Sequence, residues 1–335
     1  MKVLIDIGHA AHVHLFRNLI PMLRARGHKV VVVSRDKPYV LDLLSCYGIQ
    51  NVCISRPRNG FVGLFCEWVR RTASVIKLHR VHGFDVAIGT SVSIPYLSLL
   101  FGVKSINVQE DDDAVIPLHA ILAYPWSSII VNPKCLKYRF FRSRRYLHDS
   151  LHEMAYLSAE TFKRDPSVVK KYGFEPYEYV IIRKVALTAH HDFGESGLSI
   201  EHIRRLQHYF PSTPQITSDE LKESEVAIED MHQILAHAQL VLTDSQTMTA
   251  EAGCLGVPAV RVSSFFQKLS YLSELESLGL TYGCHPSDFE KFESILESLS
   301  QQSIQASRIL ENRNLVIQKY GDFNSVLLKA IENTT

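Results

Sequence analysis

Short apolar runs alternate with longer amphipathic stretches along nearly the whole chain, and this alternation limits the fold more than any other feature. Lys2–Ile7 is too continuously apolar to be half-exposed and reads as a strand buried on both faces. A helix is predicted from about His12 to Arg26, with Leu15, Leu19, Met22 and Leu23 on one face and Gly27 as its stop. His28–Ser34, Asn51–Ile54, Asp85–Ile88, Ser105–Val108 and Ser128–Val131 read as further strands. Helices over Pro38–Tyr47, Val62–Val81 and Pro95–Phe101 lie between them. Parallel neighbours need crossover connections, so this pattern predicts a doubly wound parallel sheet. The same alternation resumes at Tyr179–Val185 and continues through Ile200–Tyr209, Gln215-Ile216, Ile228–Ala238 and Leu240–Val262. From Asp288 onward the chain reads as helical, over Phe289–Ser300, Ile304–Tyr320 and Asn324–Asn333.

A chain of 335 residues is long for one core and suits two domains of roughly 150 residues each. Asp165-Pro166 marks the predicted crossover. The expected domains are residues 1–164 and 165–335, each Rossmann-like, with the last helix free to return to the first. The formal net charge of +1 argues against a dedicated nucleic-acid binder, which must neutralise many phosphates. The six cysteines are scattered without C-x-x-C spacing, mostly in apolar runs, which predicts buried free thiols in a reducing cytoplasm. The start MKVLIDIGHA holds one short apolar run, too short for a signal peptide, and no stretch approaches the ~18–20 apolar residues of a membrane span.

In a parallel sheet, ligands gather at the C-terminal edge of the strands. The first such loop, Gly8 to His14, carries His9, His12 and His14 where a helix begins. Three histidines in six positions suit proton transfer near neutral pH, with His12 first as base and His14 and His9 behind it. Zinc is the competing use, but no nearby Cys or Glu completes a known ligand spacing. Thr90 and Ser91 follow the strand ending at Ile88, and Glu110 and Asp111 open an acidic run, Glu110–Asp113, after Val108. That run has oxygen ligands for a divalent cation, yet a solvated loop of like charges explains it better. Lys137–His148 interleaves five basic residues with aromatic rings. Such a mixture suits contact with anionic lipid, and a half-buried strand or loop suits it equally.

Leu240–Val262 reads as a buried strand, a turn of small polar residues, a helix from Gln246 to about Leu255, and a second strand from Ala259. Asp244 and Ser245 stand where helix caps stand, and Gly256 and Pro258 stop the helix. Its N-terminus would hold a phosphate with free N–H groups and the positive dipole end. An ordinary, well-capped crossover unit is the competing explanation. The loop from Thr188 to Gly197, after the Tyr179–Val185 strand, is long and polar, as functional loops are.

This segment resembles the nucleotide-sugar site of GT-B proteins, meaning MurG-type glycosyltransferases and the non-hydrolysing UDP-GlcNAc 2-epimerases. Both have a strand, a small-residue turn, a helix with Glu, and G-x-P before a strand. By that likeness Ser245, Gln246 and Thr247 contact a diphosphate, beside Asp244, and Glu251 contacts the ribose. His12-Val13 is similar to the G-H-V step in the first loop of MurG-like enzymes, and Thr188-x-His190 to the T-x-H-R start of an epimerase loop. The Arg of that motif is His191 here, and Arg183 is the candidate to neutralise charge instead, unless it is a strand residue paired with a carboxylate. The chain as a whole resembles the DUF354 family, and HDSLHEMAYL matches a segment of that family near the crossover, which puts Glu153 among the candidate catalytic groups. The epimerase motifs G-D-T and H-V-E-A-G are matched by Gly89-Thr90-Ser91 and Asn107-Val108-Gln109-Glu110. Thr90 replaces the first carboxylate, and Gln109 the second unless Glu110 substitutes.

The resemblance implies a GT-B fold, with two Rossmann-like doubly wound domains facing a cleft. It implies a metal-independent glycosyltransferase without cofactor, moving a sugar from a nucleotide diphosphate donor, UDP-linked, to a sugar or lipid-linked acceptor in bacterial surface polysaccharide synthesis. Gly8, Thr90, Ser91, Glu110 and Asp111 would line the acceptor side. A sugar-nucleotide epimerase and a non-catalytic nucleotide-sugar binder are the alternatives. The expected location is cytoplasmic, with peripheral contact to the inner face of the membrane.

Overall fold

The computed structural model describes residues 1–37, 39–58, 60–138, 140–184, 196–219, 226–301 and 306–334. The chain divides into two compact units, Met1–Thr161 with Tyr320–Thr335, and Phe162–Lys319.

The N-terminal unit runs β1 (Lys2–Ile7), α1 (Ala10–Arg17), α2 (Leu19–Ala25), β2 (Lys29–Arg35), α3 (Val40–Cys46), β3 (Val52–Ser55), α4 (Gly60–His82), β4 (Val86–Gly89), α5 (Pro95–Phe101), β5 (Lys104–Val108), α6 (Pro117–Ala123), β6 (Ile129–Pro133), β7 (Arg145–His148) and α7 (Met154–Leu157). Its seven strands are all parallel, in the order β3-β2-β1-β4-β5-β6-β7. Strand order reverses between β1 and β4, so the loops after those two strands flank the switch point where such sheets take ligands. Leu4, Val33, Phe84, Ala87, Ile94 and Leu97 pack into one core cluster of this unit. Gly89 pairs with Asp6 across the switch, and a Cβ there would stand 2.7 Å from the Asp6 carbonyl oxygen, so only glycine lets the strands close.

The C-terminal unit runs α8 (Pro166–Lys171), β8 (Val180–Lys184), α9 (Ile200–Tyr209), β9 (Gln215–Asp219), α10 (Met231–Ala236), β10 (Leu240–Thr243), α11 (Gln246–Cys254), β11 (Ala259–Val262), α12 (Ser270–Ser277), β12 (Thr281–Cys284), α13 (Phe289–Gln301) and α14 (Ala306–Lys319). Its sheet is again parallel, in the order β12-β11-β10-β8-β9, and reverses between β8 and β10. The last helix, α15 (Phe323–Glu332), belongs to the N-terminal unit, where it lies against α2 and α7.

Three expectations need correction. The helix expected over His12–Arg26 starts at Ala10 and is interrupted at Asn18, whose side-chain amide donates to the Ala155 carbonyl at 2.8 Å. Strand β12 and helices α6 and α12 are present where no element was expected, and β7 is the half-buried strand that was one reading of Lys137–His148. Of the cysteines only Cys254 and Cys284 are buried, while Cys46, Cys53 and Cys66 are exposed. Apolar neighbours in sequence predicted the reverse, but those three sit on outward faces of α3, β3 and α4, where an apolar run does not guarantee cover.

Candidate functional site

At the switch point of the N-terminal unit, the Gly8 amide donates to His12 Nδ1 at 3.3 Å, and the Thr90 hydroxyl lies 2.9 Å from the same nitrogen. His9 caps α1, its ring accepting from the Ala11 amide at 3.3 Å, and its centroid is 5.9 Å from that of His12. Burial, then the positive fields of His9, His152, Lys37 and Arg71, hold the His12 pKa well below the ordinary imidazole value. The ring is therefore neutral at physiological pH, with Nδ1 accepting from the Gly8 amide and the Thr90 hydroxyl within reach of both ring nitrogens.

His14 does not join this group. It is buried on another face of α1, with Arg17 Nη1 at 3.3 Å and the Tyr156 ring at 5.3 Å. Ser91 shapes its own loop, its hydroxyl accepting from the Ser93 amide and its carbonyl from Asn107. Gln109 Nε2 in turn donates to the Thr90 carbonyl at 3.2 Å and meets His119 at 3.1 Å, a supporting network invisible in the sequence pattern.

The acidic run is folded in, which overturns the expectation of a solvated loop. Glu110, Asp112 and Asp113 are all buried, and Asp111 is half-buried. Asp112 accepts the Lys137 amide at 2.6 Å, and both carboxylate oxygens of Asp113 lie within reach of the one donor Arg145 Nη2, at 2.8 and 2.7 Å. Arg145 in turn lies 4.6 Å from the Tyr138 ring and 5.1 Å from that of Tyr124. Part of the basic-aromatic segment is thus internal, on strand β7, while Phe140, Phe141, Arg142 and Arg144 remain exposed.

Glu110 accepts the His152 amide at 2.7 Å. Burial, followed by the charges of Glu153 and Asp111, raises its pKa well above the usual carboxylate range despite that hydrogen bond. Glu153, at the start of α7, is itself buried. His152, which sequence reasoning missed, is pushed down to about 3 by burial and then by His148. Two carboxylates within each other's field and a neutral imidazole have the chemistry of an acid–base group, because like charges out of water cannot both ionise easily. Among the described residues no cluster of His, Cys, Asp and Glu has the arrangement of a metal site.

In the C-terminal unit, Ser245 caps α11, its hydroxyl accepting from the Met248 amide at 3.3 Å. The Ser245 amide donates to Thr243 Oγ1 at 2.9 Å. Among the described residues the Gln246 and Thr247 amides have no hydrogen-bond partner, and both residues are half-buried. Asp244 is buried and accepts the Leu198 amide at 3.1 Å, and a Cβ on Gly197 would sit 2.5 Å from its carboxylate. Beside it, the Ser264 amide donates to the Ser196 carbonyl at 3.0 Å. The end of the β8 loop is thereby tied to the α11 turn and to the loop after β11. Glu251 is buried 3.1 Å from His232 Nε2, a partner the sequence did not suggest. Arg183 pairs with Thr243 in the ladder and is half-buried. His190 lies outside the described residues.

The family model described as "Protein of unknown function (DUF354)" matches residues 1–143, which stops short of the α11 stretch. An uncharacterised protein of Methanocaldococcus jannaschii is 21% identical over 278 residues, covering 78% of this chain and 81% of the relative. Among solved structures, the UDP-GlcNAc 2-epimerase of Neisseria meningitidis bound to UDP-GlcNAc superimposes with a TM-score of 0.68 at 12% identity, over 99% of this chain and 100% of that one. The M. jannaschii UDP-GlcNAc 2-epimerase in complex with UDP-GlcNAc and UDP gives 0.65 at 12% identity, over 96% and 100%. A spinosyn rhamnosyltransferase complexed with spinosyn aglycone gives 0.63 at 14% identity, over 99% and 100%. The chain has the GT-B fold. Solved chains with this fold include both glycosyltransferases and UDP-GlcNAc 2-epimerases, so GT-B architecture narrows the chemistry without choosing between them.

Proposed function

We propose that the protein is a GT-B glycosyltransferase that takes a sugar from a UDP-linked donor. The observation that carries this reading is the pair of amides at Gln246 and Thr247, unpartnered among the described residues, at a helix N-terminus beside the sheet switch point. Those amides and the helix dipole would hold the diphosphate, with Ser245 at the turn and Glu251 meeting the ribose. An acceptor hydroxyl oxygen would attack the anomeric carbon while the bond to the diphosphate breaks. The diphosphate leaves with that electron pair, stabilised where its charge grows. The acceptor proton would pass to His12, kept neutral by its surroundings, with the Thr90 hydroxyl placed to relay it. No step requires a metal ion.

A peripheral contact with anionic lipid belongs to the same reading, since it would present a lipid-linked acceptor. Phe61, Val62 and Phe65 on α4 and Leu118 and Ile121 on α6 are exposed large apolar residues. Arg56, Arg58, Arg142 and Arg144 are exposed on the same unit. No helix among the described residues is long and apolar enough to cross a membrane.

A second reading is sugar-nucleotide epimerisation, favoured by one observation. Glu110, with its raised pKa beside Glu153, is a buried acid of the kind that proton exchange at a sugar carbon uses. Incubation with a panel of nucleotide sugars, with and without lipid-linked acceptors, separates the two. Acceptor-dependent release of UDP supports transfer, and isomerisation without acceptor supports the epimerase. Failure to bind any nucleoside diphosphate would remove both.

A further inference from the structure

Arg261, on β11, is 1% exposed, and among the described residues its Nε and Nη1 have no hydrogen-bond partner. Among the described residues it forms no ion pair. The Glu276 carboxylate is near enough for its charge to be felt, with Tyr271 and Cys284 also close, yet none of the three forms a hydrogen bond with it. Burying a guanidinium with no carboxylate hydrogen-bonded to it is costly, and buried donors left unmatched call for an explanation.

Its place in the ladder supplies one. Thr243 pairs with Arg183 on one side and with Arg261 on the other, and Arg261 pairs with Gly283. Residues paired across parallel strands project from the same face, so two arginines flank Thr243 there. Thr243 Oγ1 already receives the Ser245 amide, so this is the face on which the α11 turn is built. Gly283 contributes no side chain beside Arg261, and the Glu276 carboxylate occupies the space over it. Asp244 adds a buried carboxylate at the same edge. Without a compensating cation that edge would repel an anion.

We propose that Arg261 is the specificity-determining cation of the α11 N-terminus, poised to be neutralised by a diphosphate held there. Its role is electrostatic. A charge out of water acts on a nearby anion with far less screening than one at the surface, and it needs no reorganisation when the ligand arrives. The inference rests on the reading that this helix end holds a nucleoside diphosphate, and extends it by naming the residue that makes the site demand the anion.

The test compares the full-length protein with Arg261→Met, similar in length but uncharged, and Arg261→Lys. Calorimetry with UDP and with uridine, and thermal shift with inorganic pyrophosphate, are the readouts. R261M should weaken UDP at least tenfold, leave uridine unchanged and abolish stabilisation by pyrophosphate. R261K should recover part of the UDP affinity. Unchanged UDP and pyrophosphate binding in folded R261M overturns the proposal while leaving the nucleotide reading intact. Pyrophosphate stabilisation that depends on Arg261, without UDP binding by wild type, would overturn the nucleotide reading alone. Wild type binding neither ligand overturns both. If R261M does not fold, Glu276→Gln decides: removing that competing carboxylate should strengthen UDP binding severalfold, and no change counts against Arg261.

Discussion

His232 Nε2 lies 3.1 Å from Glu251 Oε1, and both side chains are buried. The carboxylate assigned to the ribose is thus held in place from α10 before any ligand arrives. Glu251→Ala should weaken UDP binding by roughly tenfold or more, about what a hydrogen bond to a charged group contributes. His232→Ala should weaken it less, by releasing the carboxylate without removing it. Calorimetry on both variants checks the ranking, and equal or larger loss in the histidine variant would sink it.

His12→Asn should lower turnover by roughly 10²–10⁴-fold while UDP affinity stays within twofold, the signature of a lost proton acceptor. The wild-type pH profile carries the sign. A base whose pKa is well below 6.5 is already neutral at pH 6.5, so kcat should show no His12 limb between pH 6.5 and 8 and should fall only in more acidic buffer. A limb centred near 6.5 would contradict the assignment.

Acid should destabilise the N-terminal unit early. His119 and His148 are pushed down to about 4, and His152 to about 3, in each case chiefly by burial. The unfolded chain takes up those protons near pH 6.5 and the folded chain does not. Stability is therefore lost as pH falls from about 6.5 toward 4. Glu110 acts with the opposite sign, since its raised pKa favours the folded state at low pH and that benefit fades as pH rises above about 4.5. Urea denaturation at pH 5 and pH 7 should show the histidines prevailing, and His148→Phe should flatten the difference.

Asp113 and Arg145 form an ion pair with side chains only 3% and 1% exposed. Removing one partner leaves the other charged and buried, so Asp113→Ala or Arg145→Met should each cost ~3–5 kcal/mol. The double variant should cost clearly less than the sum, and additivity in denaturant melts would show that the pair does not act as a unit.

Phe61→Ser, Phe65→Ser and Ile121→Ser together should reduce co-sedimentation with vesicles rich in anionic phospholipid and leave UDP affinity alone. Binding to neutral vesicles that matches binding to anionic ones would remove the basic residues from the explanation.

Much of the architecture was legible in the sequence because burial on both faces leaves a strong mark. Val3–Ile5 and Leu240–Leu242 are continuous apolar runs, and both are central strands. Strand β7 was legible only as one of two readings of Lys137–His148, since its burial depends on Asp113 and Tyr124, residues distant in the chain. The capping role of Ser245 followed from local chemistry alone. The links between His12 and Thr90, and between Glu110 and His152, did not, because each joins loops brought together only by strand order. His14 misled for a related reason: two positions along a helix from His12 turn a side chain to another face.

The return of α15 to the N-terminal unit makes the order of synthesis and the order of completion differ. Phe323, Leu327 and Ile331 are buried there, and Asn324 donates its amide to the Ala155 carbonyl. While the ribosome is still translating, Phe162–Lys319 can emerge and close its own sheet, but the segment made first must wait with an apolar gap until Phe323–Glu332 appears. A nascent chain stalled before Phe323 would therefore carry one finished unit and one unfinished, and it is the older half that a chaperone would find open.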